Sequence, residues 1–158
     1  MEKLPLLIHY TTNHMISKET LVKKIKNIAK DRIGLKLSKY TASDFVSEES
    51  EQSLYIFSLD KPLSTDRENI ILQALIDSGI NQEYLDETFF DSFHFQQADP
   101  LIAKEIIEEV TSDLTQLKET NLTENITECM ILVNEWNYLC LYFEKPNQLF
   151  VMIWETTA

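Results

Sequence analysis

Apolar side chains recur between residues 18 and 33 at Leu21, Val22, Ile25, Ile28, Ala29 and Ile33, the spacing of one helix face. Lys23, Lys24, Lys26 and Lys30 cover the opposite side. Ser17 stands where an N-cap is needed, and Gly34 where a left-handed residue closes a helix. A second helix is predicted over 65–78, with Thr65 and Glu68 at capping-box spacing, Ile70, Ile71, Ala74 and Leu75 inward, and Gly79 as its stop. Asn81 can cap a short helix over 82–92. Asp99-Pro100 opens a third long helix to about residue 118, with Ile102, Ile106, Val110, Leu114 and Leu117 as its stripe, widened by Ala103 and Ile107.

Two-residue alternation and β-rich composition predict strands over 4–10, 35–40 and 54–59, with a polar, serine-rich loop over 41–53. Beyond a polar connector over 119–127, three strands follow at about 128–134, 137–144 and 149–155, joined by turns around Asn134–Asn137 and Lys145–Gln148. Pairing Asn134 with Asn137 and Lys145 with Gln148 sorts this meander into two faces. One carries Met130, Leu132, Leu139, Leu141, Phe143, Phe150, Met152 and Trp154. The other carries Cys129, Ile131, Val133, Tyr138, Cys140, Tyr142, Leu149, Val151 and Ile153. Both are apolar, whereas a meander ordinarily keeps one face wet. Each face therefore needs a cover: the chain's own helices, or helices on one side and a partner on the other. The expected fold is α+β, one domain over residues 1–158, with amphipathic helices packed on a mainly antiparallel sheet that ends in this C-terminal meander.

Charge changes the picture. The net charge of −12 is unevenly placed: residues 1–40 hold nine Lys/Arg and three Asp/Glu (9 − 3 = +6), and residues 41–158 hold five and 23 (5 − 23 = −18). Most of such a surface repels nucleic acid and attracts basic partners. Glycine narrows the chemistry further. The chain has only Gly34 and Gly79, where average usage would give about eleven. Phosphate-cradling loops, dinucleotide turns and nucleophile elbows in their usual patterns need more.

Candidate catalytic groups are sparse. His9 and His14 are five apart, His94 is remote, and Cys129 and Cys140 lie eleven apart in apolar runs, so no zinc spacing is present and no metal or cofactor is expected. Cysteines in apolar surroundings hold their protons and are read as reduced core residues. With no leader-like start and no long apolar run, the expectation is a cytoplasmic protein.

Binding is the better-supported role. In 81–99, Glu83, Asp86, Glu87 and Asp91 interleave with Tyr84, Phe89, Phe90, Phe93 and Phe95, placing steering carboxylates beside aromatic anchors. Glu105, Glu108 and Glu109 on the third long helix form a second acidic surface. The phenylalanines can equally be core and the acids their solvated backs. In size, acidity and lack of catalytic motifs the whole chain resembles the immunity proteins of bacterial toxin systems, including contact-dependent inhibition. That resemblance implies a non-enzymatic protein that occludes a basic protein partner, such as a nuclease toxin. Two alternatives stay open. Ile8-His9-Tyr10-Thr11-Thr12 looks like the His-Tyr-Thr strand of some ADP-ribosyltransferase-like families, which implies nicotinamide-cofactor binding by His9 and a nearby hydroxyl. An acidic effector chaperone or adaptor, homodimeric through the two-sided meander, is the other.

Overall fold

The computed structural model describes residues 16–26, 28, 33–47, 51–61 and 67–157. The 4–10 strand, and with it His9, Tyr10 and Thr11, lies outside these residues, as do His14 and Thr65. Three α-helices are described: α1 (Lys18–Ile25), α2 (Arg67–Asp77) and α3 (Pro100–Thr111). The strands are β1 (Lys36–Tyr40), β2 (Gln52–Asp60), β3 (Gln96–Ala98), β4 (Glu128–Glu135), β5 (Tyr138–Lys145) and β6 (Gln148–Thr156). They form one antiparallel sheet in the order β1-β2-β6-β5-β4-β3, with β4–β6 as a meander. The fold is α+β, as the pattern of elements predicts.

Both apolar faces of the sheet are covered by the chain itself. One face carries Tyr55, Phe57, Tyr142, Val151 and Ile153 against α1, α2 and the aromatic segment around Phe90 and Phe93. The other carries Leu54, Ile56, Leu141, Phe143 and Met152 against Ala103 and Ile107 of α3 and against Leu114 and Leu122 of the connector. β6 pairs along its length with β2 on one side and β5 on the other, and Leu149–Ile153 are buried. A strand in that position must be apolar on both faces, which explains its unbroken Leu-Phe-Val-Met-Ile run.

The β4–β5 register departs from expectation. The turn is Trp136-Asn137, with Glu135 opposite Tyr138, and a bulge between Ile131 and Val133 inserts one residue. An odd insertion inverts every side chain beyond it. Val133 keeps its expected face, but Met130 and Leu132 join the Tyr142 side, and Ile131 and Cys129 join the Leu141 side. The two cysteines therefore lie on opposite faces, both buried and unpaired.

The helices also differ in extent. α3 stops at Thr111, not near 118, because the following residues pair elsewhere. Val46 donates its amide to the Asp113 carbonyl at 2.7 Å, Thr115 donates to the Asp44 carbonyl at 2.9 Å, and Phe45 bridges Leu114. The 82–92 helix is two short 3₁₀ turns, Gln82–Tyr84 and Phe89–Ser92, and Asn81 does cap the first. Gly79, at φ 115°, ends α2: its amide bonds the Ile76 carbonyl, and Ile80 bonds that of Leu75, a Schellman closure. Gly34 is not in the left-handed region.

These two glycines supply a paired test. Gly79→Ala forces a side chain into a left-handed position and is expected to cost about 1 kcal/mol in urea unfolding, whereas Gly34→Ala is expected to be neutral or slightly stabilising. Equal losses at both positions would contradict the assignment of the α2 stop.

Candidate functional site: an acidic cleft beside α3

The two groups of candidate acids do not form one surface. Glu83, Asp86, Glu87 and Asp91 are exposed, but their segment packs on the sheet face that α1 and α2 cover. Much of their charge is used locally. Lys18 of α1 pairs with Asp91 and lies 3.6 Å from Glu87; the Asp91 hydrogen bond raises the lysine pKa. Asp86 accepts the Phe89 amide at 2.9 Å, and Asn81 donates its side-chain amide to Glu83 at 3.3 Å. The neighbouring aromatics are mostly core: Phe90 and Phe93 are buried, Phe89 and Phe95 half-buried, and only Tyr84 is strongly exposed. Phe95 adopts φ 49°, a strained value for a bulky residue, where the chain turns into β3.

Glu105, Glu108 and Glu109 lie on the other side of the molecule, exposed on α3, with no ion pair among the described residues. α3 seats Ala103 and Ile107 against the sheet, so its buried face is rotated from the expected stripe: Ile102 is 46% exposed, and Ile106 and Val110 are half-buried along the helix flank. That flank forms one wall of a cleft of about 380 Å³. The opposite wall is the β4–β5 turn, and the floor is the sheet at Leu139 and Trp154.

Three carboxylates line this cleft, Glu109, Asp113 and Glu135, together with both tryptophans of the chain. The Trp154 indole donates to Gln52 at 3.0 Å, which fixes its plane. Trp136, set at the tip of a two-residue turn, is 73% exposed. Among the described residues no lysine, arginine or histidine lines the cleft. Asp113 is held in place by the Ser47 amide, at 3.2 Å from Oδ2. Indole faces and unpaired carboxylates together suit a cation, which gains from the ring quadrupole and from the anionic walls. Of the residues expected from sequence, Glu109 lines this cleft and Glu105 sits on the same helix one turn earlier. Asp113, Glu135, Trp136 and Trp154 were missed as site residues. An indole between Glu135 and Asn137 at a turn, where no core can take it, was the signal available.

A second polar cluster has a buried carboxylate at its centre and exposed partners at its edge. Glu144 of β5 is only 2% exposed. It accepts hydrogen bonds from Arg67 and from the Tyr142 hydroxyl (2.6 Å), and pairs with Lys61 at 3.0 Å. Glu128 stands directly across from it on β4, and Arg67 spans both carboxylates, 3.4 Å from Glu128. Burial alone would raise the Glu144 pKa, but the donors from Arg67, Tyr142 and Lys61 outweigh it and hold the carboxyl at about 2. Burial and the Glu144 charge push Glu128 upward. The cluster ties the end of β2 and the start of α2 to β4 and β5. The void beside Arg67, Glu128 and Tyr142 measures only about 20 Å³. Burial pushes both thiols, Cys129 and Cys140, up to about 12, which leaves them protonated at neutral pH.

Among the described residues no three His, Cys, Asp or Glu side chains are grouped to hold a metal ion, and no helix is long and apolar enough to cross a membrane. No protein-family model, no curated protein and no solved structure matches the chain.

The Glu144 cluster makes a pH-dependent prediction. Its folded pKa is depressed, so its stabilisation is complete above the ordinary carboxylate range and fades as pH falls toward 2. Arg67→Ala leaves a buried charge short of a partner and is expected to cost about 3 kcal/mol at neutral pH. It should also flatten the acid-side fall in urea stability relative to wild type. Parallel pH profiles for the two proteins would show that Arg67 does not hold the Glu144 pKa down.

Proposed function

We propose that this protein is an acidic binding protein that occludes a basic protein partner, and that it acts as an immunity protein against a cognate toxin. The observation that carries the reading is the cleft beside α3, where two indoles and three carboxylates meet with no cation among the described residues that line it. An arginine or lysine from a partner supplies the missing charge there. The exposed Leu101 and Ile102 and the glutamates Glu105 and Glu108 extend the contact area along α3. Steering follows from the −18 charge of residues 41–158.

The reading favours α3 over the Glu83–Asp91 segment, since Lys18 already offsets part of that charge and the phenylalanines are spent on the core. The chaperone alternative loses its proposed dimer surface, because helices of the same chain cover both faces of the meander. A toxin-neutralising role needs no catalytic group on this chain, only coverage of the toxin's cationic surface.

The experiment is affinity capture from the native host, followed by association kinetics with the basic protein retained. Glu109→Lys with Glu135→Lys is expected to slow association about tenfold or more at low salt. Trp136→Ala should speed dissociation at a cost of about 2 kcal/mol. Glu83→Lys with Glu87→Lys should do much less. If only the Glu83 and Glu87 pair matters, the contact lies on the opposite sheet face. Retention of no basic protein, or unchanged kinetics in every variant, would remove the reading altogether.

A further inference from the structure

On the same sheet face as the acidic cleft, but at its other end, lies a concavity of opposite character. Phe150 and Trp154 of β6 mark the two positions, about 13 Å apart at four strand residues. This second concavity, of about 380 Å³, is lined by Lys36, Lys118 and Lys145 with the hydroxyl residues Ser38, Ser58 and Thr120. Gln148 adds a side-chain amide, and Phe150 and Leu122 form an apolar floor.

Three ammonium groups gather here from three separate parts of the fold: the edge strand β1, the connector after α3, and the β5–β6 turn. None makes an ion pair among the described residues, although the chain has nearly two acids for every base. Two of them are held in place. Lys145 Nζ donates to the Asn121 carbonyl and lies 5.4 Å from the centre of the Phe150 ring, while Lys118 Nζ lies 5.8 Å from that of Tyr40. Burial lowers the Lys145 pKa, a cost to the charged form that a bound anion would relieve.

The geometry points to a binding site for a small multiply charged oxyanion, a phosphate or pyrophosphate group, at Lys36, Lys118 and Lys145. A phosphate matches several cations at once, since it carries roughly −1.5 to −2 charges and three acceptor oxygens. A single carboxylate matches only one. Lysine serves phosphate as a point charge, and serine and threonine hydroxyls supply neutral donors to the remaining oxygens. Glu119 also lines the site; its carboxylate accepts from the Tyr40 hydroxyl at 2.7 Å and opposes an anion. It therefore sets the affinity low and makes it adjustable. This site is independent of the basic-partner reading, because it shares no lining residue with the acidic cleft.

An amide-resolved NMR titration of the full chain with sodium phosphate and with sodium pyrophosphate tests it, with sodium sulfate as a second oxyanion arm and sodium chloride at matched ionic strength as the control. Saturable shifts at Ser38, Ser58 and Thr120 are expected with both phosphates, tighter for pyrophosphate. Lys36→Gln with Lys118→Gln, both exposed positions whose loss leaves the core intact, should weaken binding about tenfold. Glu119→Gln keeps an acceptor for Tyr40 and should tighten binding. Shifts that chloride reproduces, shifts that never saturate, or an affinity unmoved by the lysine and glutamate variants would each overturn the site. Sulfate binding as tightly as pyrophosphate would overturn the assignment to phosphate groups.

Discussion

A sheet whose strands are apolar on both faces cannot stand against water, and here that constraint governs the rest of the architecture. β5 and β6 lie at the centre with neighbours on both sides, and their side chains are buried above and below. The chain answers with two separate covers. α1, α2 and the phenylalanine segment close one face, and α3 with its connector closes the other. α2 is the extreme case: Asn69–Leu75 are all buried, so this helix is enclosed on every side and brings Gln73 into the interior with it. Apolar burial at about 25 cal/mol per Å² is the driving term, and polar groups carried inside must find partners. Glu144 finds three donors, whereas Gln73 donates its side-chain amide to Asp77 at 2.9 Å but leaves its side-chain oxygen without a partner among the described residues.

Double coverage also decides where charge can act. With every described helix packed on a sheet face, the open concavities lie at the seams between cover and sheet. The acidic cleft is one such seam, open because α3 ends at Thr111 and the β4–β5 turn projects Trp136 past it. The lysine-lined concavity is another, open where the connector only partly overlies the β1–β2–β6 end of the same face. The two seams differ in sign through which side chains the fold brings together, not through the charge of whole segments. Lys36 belongs to the basic first 40 residues, but Lys118 and Lys145 come from the same acidic remainder as Glu109, Asp113 and Glu135.

Much of the fold was legible because periodicity reports burial directly. The meander, the two-sided apolar character and the helix starts at Ser17 and Asp99 all follow from side-chain pattern and capping chemistry. What escaped depended on long-range pairing. The Ile131–Val133 bulge leaves no mark in an unbroken apolar run, so the faces of Met130 and Cys129 were inverted. Leu114 and Leu117 keep helical spacing, yet α3 stops early because Asp113 and Thr115 pair with residues some seventy positions away. β3 is three residues long and polar, too short for any period to announce it. The site was half visible. Glu109 was named for its charge, but its partners Glu135, Trp136 and Trp154 come together only when the β4–β5 turn meets α3. The Glu83–Asp91 segment mimicked an interface since aromatic core and solvated acids alternate there as they would on a binding surface.

The central claim is that cations of a basic partner enter the cleft between α3 and the β4–β5 turn. Both tryptophans of the chain line that cleft, so the two indole N–H resonances of the protein report on it. The decisive measurement is to follow them by NMR while the captured basic partner is added. The account predicts that Trp136 and Trp154 both move and that the backbone amides of Glu109 and Glu135 move with them. Indole signals that stay fixed while amides over Glu83–Asp91 shift would place the contact on the opposite side of the sheet and contradict it.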